Sequence, residues 1–195
     1  MVVGEGAGRA RTGALPLIGV LALQGGFEAH ANALSRMNTA VREVRTREDL
    51  EGIDALIIPG GESTTIGLGV EREGLEEPLI EFARSGKPVL GTCAGMIMLD
   101  REHLGVLDIG VRRNAFGRQL ASFETELELD GQKLDAVFIR APWVEDVGED
   151  VEVLAEVDGH PVAVRKGNVL AVAFHPELTG DLTVHRWLLD RVQAA

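Results

Sequence analysis

The apolar positions of the first hundred residues fall into short continuous runs separated by stretches of helical spacing. Residues 17–23 (LIGVLAL), 55–58 (ALII) and 88–90 (PVL) are uninterrupted apolar segments, as strands buried on both faces of a parallel sheet require. Between the first two, Phe27, Ala31, Leu34 and Met37 recur at helical intervals over residues 27–37. Residues 40–44 predict a further short strand, and Thr46 with Asp49 predicts a capped small helix before Gly52. Residues 66–84 again carry helical spacing, interrupted near Gly74, with Gly86 as the stop before the next strand. This alternation predicts a parallel, doubly wound sheet.

After Leu104 the period changes. Residues 122–129 (SFETELEL) alternate apolar and polar towards their end, as a half-solvated strand does, and residues 134–139 and 151–157 read as further strands. Residues 161–164 and 169–174 flank Arg165-Lys166-Gly167-Asn168, a hairpin turn, and Asp181 is placed to cap a final helix over 182–192. The expected fold class is therefore α/β: a three-layer, mostly parallel central sheet with helices on both faces and an added antiparallel strand region. In such sheets sites form at the carboxyl ends of strands. Three strands here end in glycine-rich loops, at Gln24-Gly25-Gly26, Gly60-Gly61 and residues 91–95.

Composition narrows the possibilities. With 195 residues, 45% of them apolar, the chain can bury one substantial core. Residues 15–195 are expected to form a single domain. Residues 1–14, rich in Gly, Ala and Arg and without an apolar stretch, are expected to be a flexible extension. No apolar run is long enough to span a membrane. A net charge of −12 with no basic cluster argues against nucleic acid as a partner. The single cysteine excludes an internal disulfide framework and suits a reducing cytoplasm, and neither CxxC nor a His-rich tract offers metal-ligand spacing.

That cysteine, Cys93, sits in Gly91-Thr92-Cys93-Ala94-Gly95, directly after an apolar strand and before the helix-compatible Met96-Ile97-Met98-Leu99. The G-x-nucleophile-x-G form lets strand and helix approach closely and holds the central side chain exposed on a strained turn. A thiol at a helix start also faces orphan N–H groups and the positive end of the helix dipole, which favour the nucleophilic thiolate. An isolated cysteine reads first as a buried structural thiol, and it is the Gly91-Thr92-Cys93-Ala94-Gly95 setting that favours a reactive one. A base and an orienting acid strengthen that reading. In the extended segment Phe174-His175-Pro176-Glu177, His175 and Glu177 are two apart and project to one side. A thiol nucleophile needs an imidazole to take and return its proton, and the imidazole needs a carboxylate to fix its tautomer. His30, His103, His160 and His185 show no such adjacent acid. The turn Pro59-Gly60-Gly61-Glu62-Ser63 can aim the N–H groups of Gly60 and Gly61 at an oxyanion, with Ala94 N–H as the second donor. It can equally be a tight strand-to-helix turn with Ser63 or Thr64 as N-cap.

These residues stand within a wider resemblance. GVLALQG (19–25), IIPGGEST (57–64), GTCAGM (91–96), RNAFGRQ (113–119) with SFE (122–124), FIRAP (138–142) and FHPEL (174–178) resemble the blocks of a class I triad glutamine amidotransferase. Within that group they are similar to the PdxT/SNO family, the glutaminase subunits of pyridoxal 5′-phosphate synthase. The elbow and HPE are shared across triad amidotransferases, whereas LALQG, RNAFGRQ and FIRAP are much more specific to the vitamin B6 branch. The resemblance implies Cys93, His175 and Glu177 as the catalytic triad acting on L-glutamine. It implies Gly61, Glu62, Ser63, Arg113, Ile139 and Arg140 as substrate-binding residues, and Gln24 as a residue that helps complete the site when the synthase subunit docks. It implies no cofactor and no metal. Ammonia would pass directly to that separate synthase subunit, which combines it with ribose 5-phosphate and glyceraldehyde 3-phosphate. Gly26-Phe27 after LQG departs from the smaller or aliphatic pair commoner in the family, which bears on docking rather than on the triad.

Two other functions compete: the glutaminase of another ammonia-channelling synthase, such as imidazole glycerol phosphate synthase, and a non-enzymatic elbow-cysteine protein used for redox sensing or binding. The RNAFGRQ and FIRAP pair speaks against the first. His175-Pro176-Glu177 speaks against the second, since a sensor thiol needs no base and acid at fixed spacing.

Overall fold

A computed structural model describes residues 15–117 and 122–194. The expected extension over residues 1–14 lies outside them, as do Arg118 and Gln119 of the RNAFGRQ block. The central sheet has seven strands in the order β2-β1-β3-β4-β11-β10-β9. Its strands are β1 (Leu17–Leu21), β2 (Ala40–Val44), β3 (Ala55–Ile58), β4 (Val89–Thr92), β9 (Glu152–Val157), β10 (His160–Lys166) and β11 (Val169–Val172). The helices are α1 (Phe27–Ser35), α2 (Ser63–Arg72), α3 (Glu76–Arg84), α4 (Ala94–Leu99) and α5 (Thr183–Ala194). Strands β1, β3, β4 and β11 are buried along nearly their whole length. This is why they read as continuous apolar runs rather than alternating ones.

The chain leaves β1 for β2 on one side and later steps from β3 to β4 on the other. Right-handed crossovers therefore put α1 on the opposite face of the sheet from α2 and α3, and α5 joins α1 through a contact between His185 and His30. The reversal between β1 and β3 makes a crevice at their carboxyl ends, where Gly26 N–H donates to Gly60 O at 2.9 Å.

One strand of the second half belongs to the parallel core. β11 pairs in parallel with β4, Val172 opposite Thr92, while β10 and β9 continue the sheet antiparallel. Two elements escape the hydrophobic pattern, β5 (Ile109–Arg112) and β8 (Trp143–Val147), which pair with each other outside the main sheet. Both are short, and charged residues interrupt their periodicity. The hairpin of β6 (Ser122–Leu129) and β7 (Gln132–Ile139) is a third sheet, turned by Asp130 and Gly131, both at positive φ. Phe138 at its end is stacked on Phe123 with ring centroids 4.6 Å apart and tilted against Phe174 at 5.6 Å, which packs the hairpin beside β11.

Smaller expectations are corrected. The first apolar run stops being strand at Leu21, and the helix after it ends at Ser35 rather than residue 37. Before Gly52 there is only a 3₁₀ turn, Glu48–Leu50. Thr46 does not cap it; the Asp49 carboxylate accepts from the N–H groups of Arg45 and Thr46, each at 2.9 Å, because a single turn leaves it free to fold back. Asp181 does cap the last helix, accepting from Thr183 N–H at 2.7 Å. Among the described residues no helix is long and apolar enough to cross a membrane.

Candidate active site

The parallel pairing of β4 and β11 brings the two chemical motifs together. Cys93 N–H donates to Val172 O at 2.8 Å, so the residue after β4 is tied to the end of β11 just before the segment that carries His175. Cys93 has φ 49 and ψ −104, a conformation that is costly for a side-chain-bearing residue and that aims its thiol out of the turn. The turn tolerates nothing larger at Gly95, where a Cβ would lie 2.0 Å from Ile58 O.

His175 Nδ1 stands 2.7 Å from Glu177 Oε1, and its ring and the Cys93 side chain both face Gly60 at one wall of the crevice. Burial works against a charged imidazole. The neighbouring Cys93, together with the hydrogen bond to Glu177 and its charge, outweighs it and raises His175 from 6.5 to about 10. For Glu177 burial likewise opposes ionisation, and the hydrogen bond and charge of His175 outweigh it and hold the carboxyl below its ordinary range. The three side chains lie in order, thiol beside imidazole and imidazole bonded to carboxylate.

A cavity of about 470 Å³ opens at this point, within the range of small-molecule sites. Of the residues singled out in the sequence, Gln24, Gly61, Glu62, Ser63, Cys93, Ala94, Arg113, Ile139, Arg140 and His175 line it. Glu177 and Gly60 stand behind that wall. Ile97, Asn114 and Pro142 also line it, and the sequence reading missed them.

The glycine loop departs from expectation. Gly60 N–H donates to Thr92 Oγ1 at 3.0 Å, so it is engaged within the protein and is not a free oxyanion donor. Among the described residues Gly61 N–H is not held in this way, and Ala94, the first residue of α4, has no intrahelical acceptor for its N–H. The N-cap of α2 is Glu62, not Ser63 or Thr64. Its carboxylate accepts from Thr64 N–H at 3.1 Å and from Thr65 N–H at 2.8 Å, a reach that the shorter hydroxyls lack from their positions inside the helix. A bond from the Thr65 hydroxyl, then these backbone donors, lowers Glu62 to about 2. Glu62 is thus anionic at the cavity mouth, with Arg113 Nη2 at 3.0 Å. Gln24 Oε1 accepts from Glu62 N–H at 2.7 Å, which joins the β1 loop to the same corner.

Two of the histidines without an adjacent acid in the sequence, His30 and His103, gain one through the fold. His103 Nδ1 is 2.8 Å from Asp100 Oδ1 in the turn that follows α4. His160 is stacked on Trp143 with centroids 3.6 Å apart. His30 is buried at the triad itself, 3.4 Å from Glu177 Oε2. Its signal in the sequence was its place on the apolar face of α1, three residues after Phe27 and four before Leu34. Among the described residues no group of three or more His, Cys, Asp or Glu is placed to hold a metal ion.

Comparison with known proteins agrees with this geometry. Residues 20–194 match the model of the SNO glutamine amidotransferase family. The chain is 53% identical over 190 residues to the pyridoxal 5′-phosphate synthase subunit PdxT of Mycobacteroides abscessus, covering 92% of this chain and 98% of the relative. It is 53% identical over 191 residues to that of Streptomyces avermitilis, covering 92% and 95%. A crystal structure of a glutamine amidotransferase superposes with a TM-score of 0.86 at 48% identity, over 90% of this chain and 98% of that one. The structure of PurLQS from Thermotoga maritima shares the fold alone, with a TM-score of 0.73 at 17% identity, over 93% and 99%. The chain belongs to the SNO glutamine amidotransferase family.

Proposed function

We propose that this protein hydrolyses L-glutamine to glutamate and ammonia through a Cys93 thioester and passes the ammonia to a separate pyridoxal 5′-phosphate synthase subunit. One observation carries the chemistry: Cys93, on a strained strand-to-helix turn, shares the wall of an amino-acid-sized cavity with a His175 whose Nδ1 lies 2.7 Å from Glu177. The relatives named pyridoxal 5′-phosphate synthase subunit PdxT support the choice of partner.

The Cys93 thiolate attacks the side-chain carbonyl carbon of glutamine, forming a C–S bond as the carbonyl electron pair moves to oxygen. Ala94 N–H and Gly61 N–H are the donors for that oxyanion. The tetrahedral species collapses, the C–N bond breaks, and the His175 imidazolium protonates the departing nitrogen, which leaves as ammonia. Neutral His175 then takes a proton from water, whose oxygen attacks the thioester. Glutamate departs and the thiolate is restored. Glu177 keeps the proton on His175 Nδ1, so that Nε2 faces sulfur throughout. Arg113 and Arg140 have the forked donors that suit the α-carboxylate of the substrate, and Glu62 is an acceptor for its α-ammonium, with Gly61, Ser63 and Ile139 shaping the rest.

Gln24 bridges the β1 loop to Glu62, so a synthase subunit docking on that loop would bear directly on the glycine turn. Residues 15–195 act as one glutaminase domain, and the reducing cytoplasm keeps its single thiol available. The test is glutamate release from glutamine with and without the synthase subunit, together with transfer of isotopically labelled amide nitrogen into pyridoxal 5′-phosphate. Release and transfer of label are expected. Synthesis carrying only nitrogen from free ammonia in the buffer would overturn the coupling, and full release by Cys93→Ala would overturn the nucleophile.

A further inference from the structure

Behind Glu177, on the side away from the cavity, lies a buried polar cluster that the proposed reaction does not use. His30 on α1 and His185 on α5 are both 0% exposed, and His30 Nδ1 is 2.9 Å from His185 Nε2. The other nitrogen of His30, Nε2, is 3.1 Å from Thr92 Oγ1 and 3.4 Å from Glu177 Oε2. Thr92 Oγ1 in turn accepts from Gly60 N–H. His30 therefore touches two supports of the proposed site: the acid that orients His175 and the threonine that holds the glycine loop.

The proton positions follow from the partners. Burial, only partly offset by the Glu177 charge, lowers His30 to about 4, and burial lowers His185 to about 3, so each ring carries one proton at neutral pH. The contact with Glu177 is thus not an ion pair. Among the described residues Glu177 Oε2 has no hydrogen-bond partner, and a bare Nε2 on His30 would turn a lone pair towards that anionic oxygen. A proton on Nε2 removes the repulsion and is shared between Oε2 and Thr92 Oγ1, which leaves the Oε2 contact longer than an ordinary hydrogen bond. His30 Nδ1 then accepts from His185 Nε2–H. The atom left over is His185 Nδ1, a bare acceptor, and among the described residues it has no partner. An unpaired acceptor is the cheaper vacancy.

We propose that His30 is a positioning residue for the glutaminase reaction: its Nε2–H holds the second oxygen of Glu177, and hence the orientation of His175, and ties that carboxylate through Thr92 to the Gly60 loop. This rests on the function proposed above, since it assigns a task within that reaction. An outer partner of a catalytic group is worth about tenfold to a hundredfold in activity in comparable arrangements.

Two polar variants of the full-length chain separate positioning from mere filling of space. In His30→Gln the side-chain amide reaches the place of Nε2; in His30→Asn it reaches only the place of Nδ1. Turnover is measured with the synthase subunit present. The pH profile of Cys93 alkylation by iodoacetamide is measured on the chain alone and needs no turnover. For His30→Asn we expect kcat to fall about tenfold or more with KM within about twofold, and the acid limb of alkylation to move up by about one pH unit as His175 loses its fixed acceptor. His30→Gln is expected to keep kcat within about threefold and the wild-type profile. Equal kcat and equal alkylation profiles in the two variants, whatever their melting temperatures, would overturn the proposal. Absence of glutamine turnover in the wild-type complex would instead count against the function itself, and the alkylation profiles would still decide the role of His30.

Discussion

Gly60 and His175 approach so closely that a methyl group added to Gly60 would lie 2.6 Å from His175 Cε1 and 3.2 Å from the Cys93 Cβ. The glycine loop, Cys93 and His175 share one small volume, and only a residue without a side chain fits there. Gly60→Ala must push the imidazole off the line joining Cys93 to Glu177. Turnover should fall about a hundredfold or more while the fold persists, because the strain falls on a ring at the cavity wall. Glutamate release by the variant in complex with the synthase subunit, alongside its melting curve, checks this, and a wild-type rate would refute the tight packing.

Glu177→Gln keeps the shape of the acid and removes its charge. Both the His175 hydrogen bond and the field that help hold the imidazole at about 10 weaken, and the amide no longer enforces one tautomer. A loss in kcat of about thousandfold is expected, with His175 titrating nearer its ordinary 6.5. Proton NMR of the His175 ring across pH would report the second change independently of turnover. An unmoved titration would separate Glu177 from the imidazole.

Gly95→Ala tests the elbow as a folding element. Its Cβ would meet Ile58 O at 2.0 Å, and both partners are backbone held by the β3 and α4 elements, so neither side can yield cheaply. A loss of about 3 kcal/mol in unfolding free energy is expected from this overpacking. Urea denaturation measures it, and a variant as stable as wild type would show that α4 can shift away from β3.

The buried histidine pair sets a pH dependence of stability. His30 and His185 have folded values of about 4 and about 3, below the ordinary 6.5. Between those values and 6.5 the unfolded chain binds protons that the folded chain does not, so this contribution is complete above 6.5 and is lost as pH falls towards about 4. The melting temperature should therefore drop between about pH 7 and about pH 5, and less steeply in His185→Gln, which cannot be protonated. Equal slopes in the two proteins would show that the pair does not carry the effect.

Much of the site was legible because its chemistry is local. The sequence Gly91-Thr92-Cys93-Ala94-Gly95 encodes its own turn, and His175 and Glu177 are two apart in one extended segment. The parallel strands were legible too, since burial on both faces leaves an unbroken apolar run. Strands β5 and β8 were not, because each is held by pairing with the other rather than by its own pattern. The use of Gly60 N–H was likewise hidden, for its acceptor Thr92 is distant in the chain.

The amino-acid sequence by itself determined the alternation of strands and helices, the elbow that presents Cys93, and the pairing of His175 with Glu177, all of which depend on residues within a turn or two of one another. The tertiary structure alone decided that β11 lies parallel beside β4, with Val172 opposite Thr92, and so that thiol and imidazole meet. It also decided that His30 and His185 stand behind Glu177. Strand order and the packing of one helix on another arise from which apolar faces bury each other across the whole chain, and no local pattern of residues encodes that choice.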